Sequence, residues 1–298
     1  MKTLPFLLID AFTTEALGGN PCAVVLDADD LSPEMMQRIA REFNQSETAF
    51  VRRSATADVA ARYFTPVEEI PLAGHPTISV FTALMHTGRL PLAQATLQLE
   101  LLHGPVRIDI TPPSIATANL PLVRMTQRQP VFGTVHDPAV VLPFFGLTPD
   151  DLLPNAPVQT VSTGTPQLML LLRDHAALRR ARMADAAGYQ AYREQSDFFS
   201  PHLFCLGGAT AAGHTFARHF GVPPDTSEDP VTGSATGGMS AYLWHHGYLP
   251  EPVFVAEQGH WMGRPGAVEV RITGPREAIE SVQIGGTGVV VAEGTFRV

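Results

Sequence analysis

The sequence predicts an α+β fold of two pseudo-symmetric lobes, each a curved mixed sheet wrapped around a central apolar helix. Three observations predict this fold. Short strand-like runs recur along the 298 residues, one helical segment is apolar nearly all round its axis, and that segment is repeated later in the chain. Because a helix without a polar stripe is usually buried on all sides, each copy needs a sheet around it.

The first elements in the chain are an amphipathic helix and the strand-like runs on either side of it. Ser32 is suited to cap the helix and Pro33 to occupy its first turn. Apolar residues at i, i+3, i+4 and i+7 form its predicted buried face, namely Met36, Ile39, Ala40 and Phe43. The predicted strands are 4–12, 23–26, 48–51 and 59–64.

The all-round apolar helix, predicted at 76–87, lies inside the repeated segment. Residues 71–91 align without gaps with residues 230–250, with eight identities among 21 positions. Chance would give about one or two identities at typical residue usage. Two shorter similarities keep the same order: GNPCAVVL from Gly19 with GTPQLMLLL from Gly164, and RYF from Arg62 with RHF from Arg218.

The repeat divides the chain into two halves. We expect a first lobe at 1–115, completed by the last run at 286–298, and a second lobe at 116–285. The proline-punctuated stretch 111–130 is the predicted linker between them. The second half is predicted to contain a short helix at 148–153, a helical region at 174–195, and strands at 203–206, 215–220, 253–256 and 267–272.

The overall composition excludes several classes of partner. The net charge is −9, so the chain lacks the basic surface that nucleic acid requires, and no Lys/Arg cluster suggests a membrane surface. No apolar run is long enough to span a bilayer. The two cysteines, Cys22 and Cys205, do not form a disulfide framework, so we expect a reducing, cytoplasmic setting and buried structural thiols.

The two copies of the apolar helix begin at glycine, and these starts are candidate binding sites. Gly74 is followed by His75, and Gly233 is followed by Ser234. Each helix N-terminus offers unpaired N–H groups and about half a positive charge, which suits a carboxylate. Glycine lets a ligand approach the backbone closely.

Three titratable residues near these helix starts are candidates for acid/base catalysis. His75 and Asp229 differ between the copies, because Ser234 and Ile70 occupy the equivalent positions. Glu47 begins a predicted strand and joins them if that strand end reaches the site. Simpler interpretations stay open: Glu47 as a solvated acid, His75 as a helix-cap hydrogen bonder, and Asp229 as part of an Asp-Pro turn.

The ordered motifs resemble the PhzF-like isomerases, which include the phenazine-biosynthesis isomerase. Those that carry the resemblance, from residue 10 to residue 290, are DAFTTEALGGNPCAVVL, REFNQSETAFV, RYFTP, EIPLAGHPT, VSTGTP, SEDPVTGSA, EQGHWMGRPG and IGGTGVVV. The resemblance implies a diaminopimelate epimerase-like fold with the site between the lobes. It implies that Glu47 takes and returns a proton and that His75 and Asp229 are the supporting acid/base pair.

The same resemblance implies the binding residues and the reaction class. Gly74, Gly233 and Ser234 would hold the carboxylate of a small substrate, with no metal and no other cofactor. We therefore expect a cofactor-independent isomerase that moves a proton, present as a homodimer. Two alternatives stay open: a racemase or epimerase that uses Glu47 and Asp229 as opposed bases, and a non-catalytic relative that binds a metabolite or protein.

A two-thiol epimerase is disfavoured by the sequence itself. The related epimerases that work with two thiols place each one directly before the glycine at a helix N-terminus. Ala73 and Thr232 occupy those positions here.

Overall fold

The computed structural model describes residues 3–93, 95–223 and 227–298, which form a sheet-dominated α+β fold. The helices are α1 (Pro33–Phe43), α2 (Gly74–His86), α3 (Pro138–Val141), α4 (His175–Arg180), α5 (Ala186–Arg193) and α6 (Gly233–His245). The strands are β1 (Thr3–Ala11), β2 (Asn20–Val25), β3 (Glu47–Arg52), β4 (Val59–Phe64), β5 (Glu69–Ile70), β6 (Ala95–Leu101), β7 (Gly104–Thr111), β8 (Leu122–Thr126), β9 (Val131–His136), β10 (Val158–Ser162), β11 (Pro166–Leu171), β12 (Ser200–Leu206), β13 (Thr215–Phe220), β14 (Glu228–Asp229), β15 (Val253–Gln258), β16 (Gly266–Thr273), β17 (Ser281–Gly286) and β18 (Gly288–Arg297).

The chain packs into two compact units. Unit 1 contains the residues up to Thr126 together with Ile284–Val298, and unit 2 contains Gln127–Gln283. In unit 1 the last strand, β18, pairs antiparallel with β1. The division into lobes at 1–115 with 286–298 and at 116–285 stays a prediction. None of the helices in the described ranges has the length and apolar character needed to cross a membrane.

Helix α1 forms as its sequence predicts. The Ser32 hydroxyl accepts a hydrogen bond from the Met35 N–H at 3.3 Å, and Pro33 occupies the first turn. The helix ends at Asn44, which adopts the left-handed conformation with φ of 49°. This stop lets the chain enter β3 only three residues later, so Glu47 stands at the first position of that strand.

Helix α2 is buried along almost its whole length. Every residue from Gly74 to Met85 is buried, and the helix packs against β1, β2, β3, β8 and β18 of unit 1. Two of the hydroxyl groups inside it are satisfied locally, since Thr77 and Thr82 donate to the carbonyls of Ala73 and Ile78 at 2.8 and 2.9 Å. The absence of a polar stripe in the sequence thus correctly predicted complete burial.

Helix α6 in unit 2 is the second copy and packs against β10, β11 and β16. Its glycines permit this close packing. A Cβ at Gly237 would lie 1.6 Å from Gln127 Oε1, and one at Gly238 would lie 2.6 Å from Met169 Cε. Neither position has room for a larger side chain without movement of its neighbour.

The sequence repeat recurs in the side-chain contacts of each unit. In unit 1, Arg62 of β4 forms a two-pronged ion pair with Glu69 of β5, at 2.7 and 2.6 Å. In unit 2, Arg218 of β13 forms the same pair with Glu228 of β14, at 3.0 and 2.8 Å. Each pair closes a strand-to-strand hairpin that leads into α2 or α6, so the hairpins are equivalent.

A second contact is also shared. Glu100 of β6 accepts a hydrogen bond from the Ser54 hydroxyl, and Glu257 of β15 accepts one from the Thr210 hydroxyl at 2.5 Å. The parallel registers agree, because β4 meets β6 at Ala60↔Glu100 and β13 meets β15 at Phe216↔Glu257. Residues 100 and 257 are therefore equivalent positions of the repeat.

Three segments assigned from the sequence take a different form in the structure. The expected linker at 111–130 contains β8, which pairs antiparallel with β7, and a 3₁₀ turn at Ile115–Thr117. The helical region at 174–195 is two helices, α4 and α5, and the short helix expected at 148–153 is a 3₁₀ turn, Pro149–Asp151. In the 111–130 segment the prolines obscured β8, because a proline removes a backbone donor without preventing the neighbouring residues from pairing.

Two histidines lie in contact in the interior of unit 2. The Nδ1 atoms of His202 and His219 lie 3.2 Å apart, so one ring donates to the other. His202 is fully buried, and its Nε2 has no hydrogen-bond partner among the described residues. Burial lowers the pKa of His202 well below 6.5, and the neighbouring His219 lowers it further.

This pair predicts a loss of stability in mild acid. Below about pH 6.5 the unfolded chain binds a proton at His202 that the folded protein excludes, so the free energy of unfolding falls as the pH falls. One such proton contributes at most about 1.4 kcal/mol per pH unit. Urea unfolding between pH 7.5 and 5 measures how steeply the free energy of unfolding falls with pH. His202→Gln is expected to make this fall less steep and to leave the free energy of unfolding independent of pH above pH 6.5. An identical slope in the variant would contradict this assignment.

Candidate active site

Glu47 and His75 meet in unit 1. The Glu47 Oε2 atom lies 3.1 Å from His75 Nε2, and the two side chains are only 19% and 5% exposed. Glu47 begins β3, which runs parallel to β2 with Cys22 opposite Glu47. His75 is the second residue of α2. A turn after α1 and a helix start thus bring an acid and an imidazole into contact, in a setting more enclosed than a solvated surface acid has.

Two polar residues beside this pair were missed in the sequence. The Ser46 hydroxyl lies 3.5 Å from His75 Nε2 and donates to Asn20 Oδ1 at 3.3 Å. Asn20 is fully buried and follows Gly19, which has φ of +53° and whose Cβ would fall 2.0 Å from the Ala11 carbonyl oxygen. Only glycine fits there, so the conformation of this turn fixes where Asn20 stands.

The two thiols are not candidates for acid/base or nucleophilic chemistry. Cys22 and Cys205 are both buried, as predicted. Burial raises the pKa of the Cys22 thiol far above its usual range, and the nearby Glu47 carboxylate raises it further. Burial also raises the pKa of Cys205 to about 12. Both thiols therefore stay protonated near neutral pH, so neither is a nucleophile or a proton acceptor there.

The N-terminus of α2 is buried and lacks a side-chain cap. Ala73 is the N-cap residue and supplies no side-chain hydrogen bond to the helix, and Gly74 is the first helical residue. The first N–H groups of a helix have no intrahelical partner and carry partial positive charge. Gly74 and His75 are buried, so a carboxylate at this end would receive backbone N–H donors in an enclosed setting.

In unit 2, Asp229 lies at the equivalent helix start. It ends β14, and the Thr232 hydroxyl donates a hydrogen bond to its Oδ2. Thr232 is the N-cap residue of α6, yet its side chain makes no capping hydrogen bond to the helix. Gly233 is buried and Ser234 is partly exposed. The structure therefore brings Asp229, Gly233 and Ser234 together at one helix N-terminus, as it brings Gly74, His75 and Glu47 together at the other.

Gln258 was also missed in the sequence, although it lies in the EQGH motif. Its Nε2 donates to the Asp229 carbonyl oxygen at 2.6 Å and to Thr232 Oγ1 at 3.2 Å, and its Oε1 accepts from the Thr232 N–H at 3.2 Å. These partners lie 29 and 26 residues away, which no local pattern reveals. Gln258 is 2% exposed, so its amide is committed to this segment.

No three His, Cys, Asp or Glu side chains in the described ranges come close enough together to hold a metal ion. The polar groups around the Glu47–His75 pair and around Asp229 are carboxylates, an imidazole, hydroxyl groups and amides. They donate and accept hydrogen bonds, and the carboxylates and the imidazole can also exchange protons. Such groups can bind a small anion and move a proton.

Comparison with known proteins decides the family. The family described as phenazine biosynthesis-like protein matches residues 9–294 of the chain. The chain belongs to this PhzF family. The PhzF-family chain is 35% identical over 294 residues to the uncharacterized isomerase YddE of Salmonella typhimurium, with 95% of each chain covered. It is 33% identical over 294 residues to the trans-2,3-dihydro-3-hydroxyanthranilate isomerase of Pseudomonas aeruginosa, covering 97% of this chain and 98% of that one.

Solved structures agree with this assignment. The crystal structure of the Bacillus anthracis phenazine biosynthesis protein of the PhzF family matches with a TM-score of 0.89 and 32% identity over 100% of both chains. A hydroxyproline epimerase from Agrobacterium vitis matches with a TM-score of 0.68 at 13% identity, covering 98% of this chain and 92% of that one, which shows a shared fold alone. The predicted family, the α+β class and the isomerase class of enzyme are therefore confirmed.

Proposed function

We propose that the chain is a cofactor-independent isomerase that moves a proton on a small carboxylate-bearing substrate. The observation that carries this proposal is the contact between Glu47 Oε2 and His75 Nε2, at 3.1 Å, directly beside the uncapped N-terminus of α2. A carboxylate and an imidazole in contact form a proton-carrying pair, and the helix N-terminus supplies an anion-binding group next to it.

Each residue has a proposed role. Glu47 takes a proton from a substrate carbon and returns it to another, and the adjacent His75 imidazole supports it as an acid/base partner. Gly74, Gly233 and Ser234 bind the substrate carboxylate through backbone N–H groups and a hydroxyl group. Asp229 completes the acid/base set. The proposal includes a two-lobe fold with a central helix in each lobe, and requires that both clusters act on the same substrate.

The proposal extends to the setting of the enzyme. We propose a cytoplasmic homodimer that works without a metal or an organic cofactor. Proton transfer by side chains needs neither, because the carboxylate and the imidazole can each accept and donate a proton. Prolonged treatment with a chelator, followed by desalting, is therefore expected to leave unchanged the rate at which the protein exchanges a substrate proton with solvent. Loss of activity that the restored metal ion alone recovers would overturn this part of the proposal.

A second candidate function is racemisation or epimerisation. The observation that favours it is the presence of one acid beside each uncapped helix start, Glu47 near α2 and Asp229 near α6. Two carboxylates on opposite faces of one carbon would invert it. A third candidate, binding without turnover, is favoured less because it gives the Glu47–His75 contact no role.

Solvent deuterium incorporation distinguishes these candidates. The protein is incubated in D2O with a panel of small cyclic and amino carboxylates that includes trans-2,3-dihydro-3-hydroxyanthranilate, the compound named for the Pseudomonas aeruginosa relative. Products are analysed by mass spectrometry and NMR. An isomerase yields deuterium at a new carbon with a moved double bond, whereas an epimerase yields deuterium at an inverted centre. Binding of a panel member without any exchange would contradict the enzymatic proposal for that compound and favour the binding relative.

A further inference from the structure

Thr232 occupies a helix-capping position without capping the helix. A threonine at the N-cap normally accepts a hydrogen bond from an N–H of the first turn. The Thr232 side chain makes no such bond, and its hydroxyl is directed instead at Oδ2 of Asp229. The hydroxyl therefore serves the carboxylate rather than helix α6.

The orientation of the Gln258 amide is fixed by backbone chemistry. The Asp229 carbonyl oxygen can only accept, so the atom 2.6 Å from it must be the NH₂ group of Gln258. The Thr232 N–H can only donate, so the atom 3.2 Å from it must be the amide oxygen. The second hydrogen of the NH₂ group is then available to Thr232 Oγ1, at 3.2 Å.

This orientation determines which way the Thr232 hydroxyl points. A hydroxyl has one hydrogen, and Gln258 uses one of its lone pairs. The hydrogen is therefore directed at Asp229 Oδ2. A proton on Oδ2 would require the Thr232 hydroxyl to turn its hydrogen away and give up this bond. An ionised carboxylate accepts this bond more strongly than a protonated acid does, so the bond favours the charged form.

We propose that Gln258 and Thr232 form a positioning relay that holds Asp229 ionised and in one orientation. The relay runs from the Gln258 NH₂ group through the Thr232 hydroxyl to Asp229 Oδ2. It assigns a role to Asp229 that the proposed function leaves open, and it rests on that function. Asp229 is a standing negative charge, and Glu47, beside His75, is the group that takes and returns the proton. Neither Gln258 nor Thr232 exchanges a proton with the substrate.

The internal repeat supports the relay, because its three positions differ together between unit 1 and unit 2. Asp229 of β14 pairs with His219 of β13, and Ile70 of β5 pairs with Tyr63 of β4. Asp229 and Ile70 therefore occupy equivalent positions of the repeat. Thr232 corresponds to Ala73, the N-cap residue of α2. The parallel registers make Gln258 of β15 equivalent to Leu101 of β6.

All three relay positions are thus polar in unit 2 and apolar in unit 1. Neighbouring contacts do not follow this pattern, because the Arg–Glu pairs and the contacts of Glu100 and Glu257 with hydroxyl groups occur in both units. A general need of the fold would act on both copies. The restriction of the relay to the copy that carries Asp229 ties it to that carboxylate.

Isosteric variants test the relay. Thr232→Val removes the hydroxyl and keeps the shape, and Thr232→Ser keeps the hydroxyl. We expect kcat to fall about 10²-fold in Thr232→Val, with KM changed much less, because a catalytic group that loses its orientation reacts slowly even when substrate is bound. Thr232→Ser is expected to stay within a few fold of the wild type. Thr236→Val is the matched control, since it removes a hydroxyl bonded to the Thr232 carbonyl at 2.9 Å and not to Asp229.

A spectroscopic measurement tests the relay without turnover. Both hydrogens of the Gln258 NH₂ group have acceptors, so its ¹⁵N–¹H signals, assigned by their loss in Gln258→Met, are expected to exchange slowly with solvent. One of the two is expected to exchange faster in Thr232→Val and to be restored in Thr232→Ser. Equal exchange in all variants would overturn the relay, as would wild-type kcat in Thr232→Val.

The two measurements separate failure of the relay from failure of the proposed function. Failure of the function appears as a wild type that exchanges no proton on any substrate of the panel, and the amide signals still decide whether the relay exists. Failure of the relay appears as an active wild type with an equally active Thr232→Val. Activity lost equally in Thr232→Val, Thr232→Ser and Thr236→Val would assign these hydroxyl groups to folding and overturn the relay.

Discussion

Glu47→Gln is expected to abolish proton exchange while leaving the protein folded. Glutamine keeps the shape of the side chain and its hydrogen-bonding reach toward His75, 3.1 Å away, but it does not accept a proton at working pH. Removing a positioned acid/base group costs about 10²–10⁴-fold in rate, and more when it is the sole proton carrier. Deuterium incorporation into a substrate that the wild type turns over measures the loss.

A matched variant controls for the loss of one carboxylate in the same unit. Glu100 is a strand residue of unit 1 whose carboxylate accepts from the Ser54 hydroxyl. Glu100→Gln is expected to retain the wild-type exchange rate. The melting temperature of Glu47→Gln should equal or slightly exceed that of the wild type, because a largely enclosed carboxylate loses hydration that a neutral amide does not need. An unfolded Glu47→Gln would make Glu47 a structural residue, and an unchanged exchange rate would exclude it as the proton carrier.

Local periodicity was enough to predict the helices that carry the site. The face of α1 and the all-round burial of α2 follow from the order of apolar residues, because a helix repeats every 3.6 residues whatever its surroundings. The repeated segment likewise indicated that α6 is a second copy of α2. For Glu47, the same reasoning gave only its place at the start of a strand. The local pattern could not decide whether that place was solvated or enclosed.

The network around Asp229 could not be predicted in the same way. Thr232 looks like an ordinary helix cap in the sequence, and Gln258 follows Glu257 at the end of an otherwise apolar strand. Their connection depends on the parallel pairing of β13 with β15, which brings together residues more than 25 positions apart. The Ser46–Asn20 contact likewise spans 26 residues. Contacts of this kind follow from the register of a sheet, and register is set by the whole fold rather than by any segment.

Arg218→Met is expected to lower the free energy of unfolding by about 3 kcal/mol, the lower end of what removing one partner of a buried ion pair costs. Arg218 and Glu228 are 15% and 16% exposed, so the Glu228 carboxylate would remain enclosed without its partner. Arg218 Nη1 also donates to the carbonyls of Leu178 and Ala181 at the end of α4, at 3.0 and 2.7 Å. Methionine fills the space of the arginine stem and replaces none of these hydrogen bonds.

The equivalent pair in unit 1 provides the internal comparison. Arg62 and Glu69 form the same two-pronged contact with side chains 21% and 20% exposed. The hydrogen bonds described for Arg62 go to Glu69, and no bond to a helix carbonyl is among them. Arg62→Met is therefore expected to destabilise the protein less than Arg218→Met. Urea unfolding of both variants, followed by circular dichroism, measures the difference, and a larger effect at Arg62 would contradict it.

A double variant separates the ion pair from the helix contacts. Adding Glu228→Gln to Arg218→Met removes the unpaired charge, so we expect part of the lost stability to return. The part that does not return reports the two α4 carbonyls left without a donor.

Glu228 directly precedes Asp229, and β13 and β14 set the position of both. The activity of Arg218→Met should therefore fall even at temperatures where the protein is folded. In the double variant it should recover only to the extent that the β13–β14 hairpin regains its stability. A double variant as unstable as Arg218→Met would show that the enclosed charge is not the cause.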